Sequence, residues 1–154
     1  MEEELFTLLK EKNYHLCSIE SLTGGKFGAY ITSIPGASKI YKGGMITYLN
    51  EVKEKLGVSH KTLETEGAVS SSTAYEMAKE GARFFSSEVA ISFTGNAGPT
   101  AMENKEVGLA YIGIAIDSKI EVFEYHIKKS REEIRDELIK EGIKKFVEWY
   151  KNEN

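Results

Sequence analysis

The sequence predicts an α/β fold, with a mixed, mostly parallel sheet and helices on both faces. Three observations carry this. Short apolar runs of strand length alternate with helix-period segments over the first two thirds of the chain. Two glycine-bearing loops, at 21–25 and 94–98, each follow directly on such a run. The last two runs, 107–116 and 119–127, are separated by Asp117-Ser118 alone, a hairpin spacing that makes them antiparallel.

Each element has its own signal. Leu5, Leu8 and Leu9 recur at helical spacing over 2–12, behind acidic residues that suit a helix start. Residues 14–20 read as a short strand, and Gly24 to Ser33 as a helix opening on two glycines. Ile34-Pro35-Gly36-Ala37-Ser38 is turn chemistry. A strand over 40–49 should put Ile46 and Tyr48 on one face and Met45, Thr47 and Leu49 on the other. Asn50 can cap a short helix ending at Gly57, and Ser59 another ending near Gly67. Ser70–Phe85 is an amphipathic helix with Ala74, Met77, Ala78 and Ala82 on its apolar side. Val89 to Phe93 is a buried strand. The last helix, 131–150, carries Ile134, Leu138, Ile143, Phe146, Val147 and Tyr150 as its stripe.

Composition bounds the function. The 154 residues make one domain, 1–154, and 41% hydrophobic residues suffice for a packed core. A net charge of -4 argues against a nucleic-acid groove. A single cysteine, Cys17, rules out an internal disulfide and a thiolate metal cluster, and suits a reducing compartment. Neither a signal-peptide pattern nor a membrane-length apolar run is present, so the reading is cytoplasmic, with no membrane partner. The apolar hairpin at 107–125 suggests burial by self-association, hence a homo-oligomer.

The chemistry is expected where strands end at glycine loops, because ligands of such sheets collect at the carboxyl ends of parallel strands. Ser21 sits there, in Glu20-Ser21-Leu22-Thr23-Gly24-Gly25. A serine hydroxyl needs a base to act as a nucleophile. His15, His60 and His126 lack any motif context, which leaves lysine. Lys53 lies five residues after Tyr48, beside the buried side of its short helix. As a base it must be neutral, which means lowering a pKa near 10.4 by about three units, or roughly 4 kcal/mol. Burial or a second cation such as Lys42 can supply that; otherwise Lys53 is a solvated surface charge. Tyr48 can orient the amine through its hydroxyl, or be a half-buried strand aromatic. Glu20 can hold a helix N-terminus or serve as an acid/base. Thr23, Gly24 and Gly25 can cradle an anion on free helix-start amides, or simply let helix and strand approach. Thr94, Gly95 and Asn96 stand at the second strand end, as ligand contacts or as an ordinary turn.

Together these stretches resemble the CinA C-terminal domain family over essentially the whole chain. The match runs through Glu20 to Gly25, Ile34 to Ser38, Tyr48-Leu49-Asn50-Glu51-Val52-Lys53, Gly67-Ala68-Val69-Ser70, Thr94 to Pro99 and Val107-Gly108. The resemblance implies a three-layer α/β/α sandwich and a Ser/Lys amidohydrolase acting on nicotinamide mononucleotide. Ser21 would be the nucleophile, Lys53 the base and Tyr48 the supporting hydroxyl. Glu20, Thr23, Gly24, Gly25, Asn50, Thr94, Gly95, Asn96 and Arg131 would bind substrate, with no metal and no cofactor. Longer members carry a molybdopterin-binding-like N-terminal domain, for which this chain leaves no room. Three departures stand out: Leu22 replaces a frequent cysteine, and 100–106 is less glycine-rich and more acidic than usual. The third is Lys128-Lys129-Ser130 ahead of Arg131 where the family tends to Gly-Asp-Arg, so Arg131 or Lys129 is left to take up that arginine's contact. The altered loop leaves open an amidase for another small amide, and the missing Gly-Asp-Arg a ligand-binding module without turnover.

Overall fold

The parity of side chains along β1 (Leu16–Glu20) organises the molecule. Successive residues of a strand face opposite ways. Leu16 joins the core on one side of the sheet, and Cys17 and Ile19 join the clusters on the other. The structure is a computed structural model describing residues 2–153. Its sheet runs in the order β2-β1-β3-β4-β5, with β2 Tyr41–Ile46, β3 Val89–Gly95, β4 Leu109–Ile116 and β5 Lys119–His126. β1 pairs parallel with both β2 and β3, while β4 runs antiparallel to its neighbours β3 and β5.

Six helices cover the two faces, giving the three-layer α/β/α sandwich and mixed sheet expected from the sequence. On one face lie α1 (Glu2–Lys12), α2 (Lys26–Thr32) and α6 (Arg131–Glu153). Their apolar stripes meet Leu16, Ile91, Phe93, Ile112 and Ile114 in the larger core. On the other lie α3 (Asn50–Leu56), α4 (His60–Thr65) and α5 (Ser71–Phe85). Small residues make that second contact close. Gly81 of α5 sits on Ile19, and a Cβ at Gly113 of β4 would stand 2.5 Å from the Ala74 carbonyl oxygen of α5.

Several boundaries differ from the sequence reading, each for a local reason. β2 ends at Ile46, not Leu49, because the Thr47 and Tyr48 carbonyls turn to the Lys53 amine. α2 begins at Lys26 because Gly24 and Gly25 adopt left-handed φ values of 58° and 102°. Asn50 is the first helical residue of α3, and Leu49 takes the cap position without a side-chain bond. Ser59 and Ser70 do cap, accepting from Thr62 and Thr73 amides. β3 continues through Thr94 and Gly95, since β4 pairs with both.

Among the described residues, no helix is long and apolar enough to cross a membrane. The closeness of α5 to β4 gives a test. Gly113→Ala should cost about 1–3 kcal/mol by overpacking against backbone, read as a lower urea midpoint at unchanged slope. An unaltered midpoint would mean that the layers are not in contact there.

Candidate active site

The β1 parity continues past the strand and divides two adjacent residues. Glu20 points to the α2 side and Ser21 to the α3 side. The Ser21 amide still donates to the Phe93 carbonyl, 2.9 Å, so the serine is held in line with the sheet.

Glu20 is buried and its carboxylate closes the start of α2. Oε1 accepts from the Gly25 and Phe27 amides at 3.2 and 3.0 Å, and Oε2 from the Gly28 amide at 3.0 Å. The Gly24 and Lys26 amides donate to the Ser21 and Thr23 carbonyls. These donors are therefore spent within the protein. The anion expected at this helix start is Glu20 itself, fixed by the positive end of the helix. Glu20, Gly24 and Gly25 shape the loop instead of presenting amides to a ligand. Thr23 is fully buried, and its Oγ1 has no hydrogen-bond partner among the described residues.

Ser21 is 7% exposed and opens on a cleft of about 370 Å³. Lys53 enters the cleft from α3 and is only 1% exposed. Its Nζ lies 2.9 Å from Ser21 Oγ, 2.7 Å from the Thr47 carbonyl and 3.0 Å from the Tyr48 carbonyl. Burial lowers its pKa to about 8 from an ordinary 10.5, while Glu103 opposes that change. Lys42 takes no part: its amine donates to the Phe85 and Ser86 carbonyls at the far end of β2. At pH 7 roughly a tenth of such amines are neutral, some 300-fold more than in a free lysine. A neutral amine keeps two hydrogens for the two carbonyls, and its lone pair then faces the serine hydroxyl.

Other predicted residues divide. Tyr48 is exposed and its hydroxyl accepts from Arg131 Nη2 at 3.3 Å; it makes no bond to Ser21 or Lys53. Its carbonyl, not its phenol, reaches the amine. Arg131 begins α6 at the rim and also donates to the Gly98 carbonyl, 2.6 Å. Lys129 is paired with Glu137 instead, which leaves Arg131 as the guanidinium of the cleft. Asn50, Thr94 and Gly95 line the cleft, with Thr94 Oγ1 donating to the Ala68 carbonyl. Asn96 does not line it. Fully buried, it brackets its own loop, donating to the Lys105 and Glu106 carbonyls and accepting from the Gly98 amide.

The sequence reading missed four contributors. Arg135 of α6 donates to the Leu22 and Thr23 carbonyls at 2.9 and 3.2 Å, pinning the loop behind Ser21. Its position four residues after Arg131, on the same helix face, was the available signal. Ala68 and Val69 line the cleft from the turn before α5. Glu103 lines it from the altered loop, whose acidity was noted without a role.

The comparisons with known proteins agree with this fold. The family model described as the CinA C-terminal domain matches residues 1–149. A protein of Bacillus subtilis (strain 168), provisionally named a competence-damage inducible protein, is 44% identical over 141 residues, 91% of this chain and 34% of its own length. A similarly named protein of Bacillus cytotoxicus is 43% identical over 145 residues, 93% and 35%. The chain thus spans about a third of the length of these curated relatives. The crystal structure of the competence/damage inducible protein CihA from Agrobacterium tumefaciens superposes with a TM-score of 0.89 at 30% identity, covering 94% of this chain and 90% of that one. A CinA superfamily protein from Escherichia coli gives 0.91 at 26%, covering 93% and 84%. The likeness extends from sequence to fold over nearly all of the chain, which therefore belongs to the CinA C-terminal domain family.

Proposed function

We propose that this chain is an amidohydrolase that converts nicotinamide mononucleotide and water to nicotinate mononucleotide and ammonia, as a step of pyridine-nucleotide salvage. The observation that carries this reading is the 2.9 Å contact between the buried amine of Lys53 and Ser21 Oγ. Burying this lysine with no carboxylate of the described residues beside it costs desolvation of its charge and lowers its pKa towards neutrality. A general base gains its function there. The same contact favours turnover over a binding module without catalysis.

In this mechanism, neutral Lys53 accepts the Ser21 proton as Oγ attacks the carboxamide carbon. The tetrahedral oxyanion needs a donor. The amides of Gly24 and Gly25 are already committed to the Ser21 carbonyl and to Glu20. The Leu22 amide has no partner among the described residues, and Leu22 lines the cleft, so it is the donor assigned here. The lysine, now an ammonium, returns its proton to the leaving nitrogen and ammonia departs. It then takes a proton from the water that attacks the acyl-enzyme and passes it to Ser21 Oγ as the ester bond breaks, which releases nicotinate mononucleotide and restores the neutral amine. Arg131 suits the phosphate end of the substrate, since a guanidinium offers paired donors to phosphate oxygens. Tyr48, Leu49 and Met102 are exposed apolar side chains lining the cleft, able to lie against the ring. A cleft of about 370 Å³ falls within the usual range for small-ligand sites.

Two outcomes are expected. Ser21→Ala and Lys53→Ala, each purified and folded by circular dichroism, should lose at least about a thousandfold in ammonia release from the mononucleotide. Full activity in either variant would remove the mechanism. The second concerns pH. The working amine is the neutral form, so kcat/KM should climb as pH rises towards about 8 and level off above it, falling about tenfold per unit below. A profile flat from pH 5 to 9 would contradict a lysine base.

A further inference from the structure

The acidic loop after Pro99 carries an unassigned charge into the cleft. Met102 and Lys105 bridge, and Glu103 and Asn104 between them take left-handed φ values of 56° and 58°, forming a tight two-residue turn. This turn is clamped on the segment before α5. The Glu103 carboxylate accepts the Ala68 and Val69 amides at 2.9 and 3.1 Å, and Lys105 donates to the Glu66 and Val69 carbonyls. Gly67 makes the seat: its φ is +85°, and a Cβ there would lie 2.5 Å from Glu103 Oε1. Partial burial works against the carboxylate's charge, but the two amides and Lys105 outweigh it and keep its pKa below the ordinary range.

Three acidic or basic side chains line the cleft: Lys53, Glu103 and Arg131. In the working state, with Lys53 neutral above about pH 8, one fixed anion and one fixed cation remain. Glu103 is held on the Ala68 amide, and the Ala68 carbonyl accepts from Thr94, next to the Phe93 whose carbonyl takes the Ser21 amide; Glu103 therefore stands on the serine side of the cleft, while Arg131 is at the rim. Lys105 does not line the cleft and shares its donors between the carboxylate and two carbonyls. The Glu103 side chain as a whole is about a quarter exposed. A charge so placed does not assist a neutral amide. It does stabilise a ring that is positively charged next to the amide under attack.

We propose that Glu103 is a specificity-determining residue, whose carboxylate in the cleft wall selects amides borne on a cationic, N-substituted pyridinium ring over amides on an uncharged ring. The inference rests on the amidohydrolase reading and adds the charge that the substrate's ring must carry. Nicotinamide mononucleotide has this charge order, a pyridinium beside the amide and a phosphate at the other end. Benzamide ribotide has the same shape with an uncharged benzene ring.

The test compares these two ligands on the purified chain, by calorimetric affinity and by ammonia release, in the parent, Glu103→Gln and Lys105→Met. The parent should favour the pyridinium ligand by about tenfold, the scale of one charge pair at partly screened contact. Glu103→Gln should bring the two ligands to within about twofold. Lys105→Met, which loosens the same turn but keeps the carboxylate, should retain the preference. A parent without a preference, or a Glu103→Gln variant that keeps it, overturns the proposal. Equal loss of both ligands in both variants does so too, reducing Glu103 to a clamp. Absence of ammonia release from either ligand would instead refute the amidohydrolase reading, while the calorimetric ratio would still decide the role of Glu103.

Discussion

An amine withdrawn from water between two carbonyls and one hydroxyl is the arrangement around which the rest of this chain is disposed. Lys53 is among the largest fully buried side chains, alongside Phe27, Phe93 and Phe146. Burying a charge costs several kcal/mol unless it is paired, and among the described residues no carboxylate touches this amine. The neutral form relieves the cost. The Thr47 and Tyr48 carbonyls then fix the direction of the lone pair, because they take the hydrogens and leave Ser21 for the remaining position. β2 ends early to release those carbonyls, and α3 starts at once to bring the lysine back over them.

A second consequence follows from strand parity. Glu20 and Ser21 are neighbours in sequence but serve opposite faces of the sheet. The carboxylate neutralises the start of α2, and the hydroxyl meets α3. Placing the acid on the far face keeps it away from the amine. A carboxylate beside Lys53 would stabilise the ammonium and raise its pKa, the opposite of what a base requires. Glu103 does act in that direction, yet burial outweighs it, which is why a cleft acid and a depressed lysine coexist.

Much of this was legible in the sequence. The alternation of short apolar runs with amphipathic helices gave the layers, and the Asp117-Ser118 turn gave the β4–β5 hairpin. Ser21 and Lys53 were legible as types in a pattern: a serine at a strand end and a lysine one turn into a following helix. What could not be read was which donors are already spent. A glycine pair at a helix start looks like an anion cradle until Glu20, five residues before Gly25, is seen to fill it. Asn96 looked like a ligand contact because it follows a strand, but its amide is consumed by its own loop. Glu103 and Arg135 escaped because their meaning depends on partners 35 and 113 residues away, at Ala68 and Leu22. Local periodicity carries no information about such pairings.

The protonation state of one amine decides whether this arrangement is chemistry or merely packing. Lysine side-chain carbon and nitrogen resonances report it by NMR, with the Lys53 signal assigned by its loss in Lys53→Met. Lys53 should titrate with a midpoint near pH 8, clearly below the ordinary lysine value of about 10.4. A midpoint at or above that ordinary value would mean that the amine stays charged beside Ser21, and a lysine base would be ruled out.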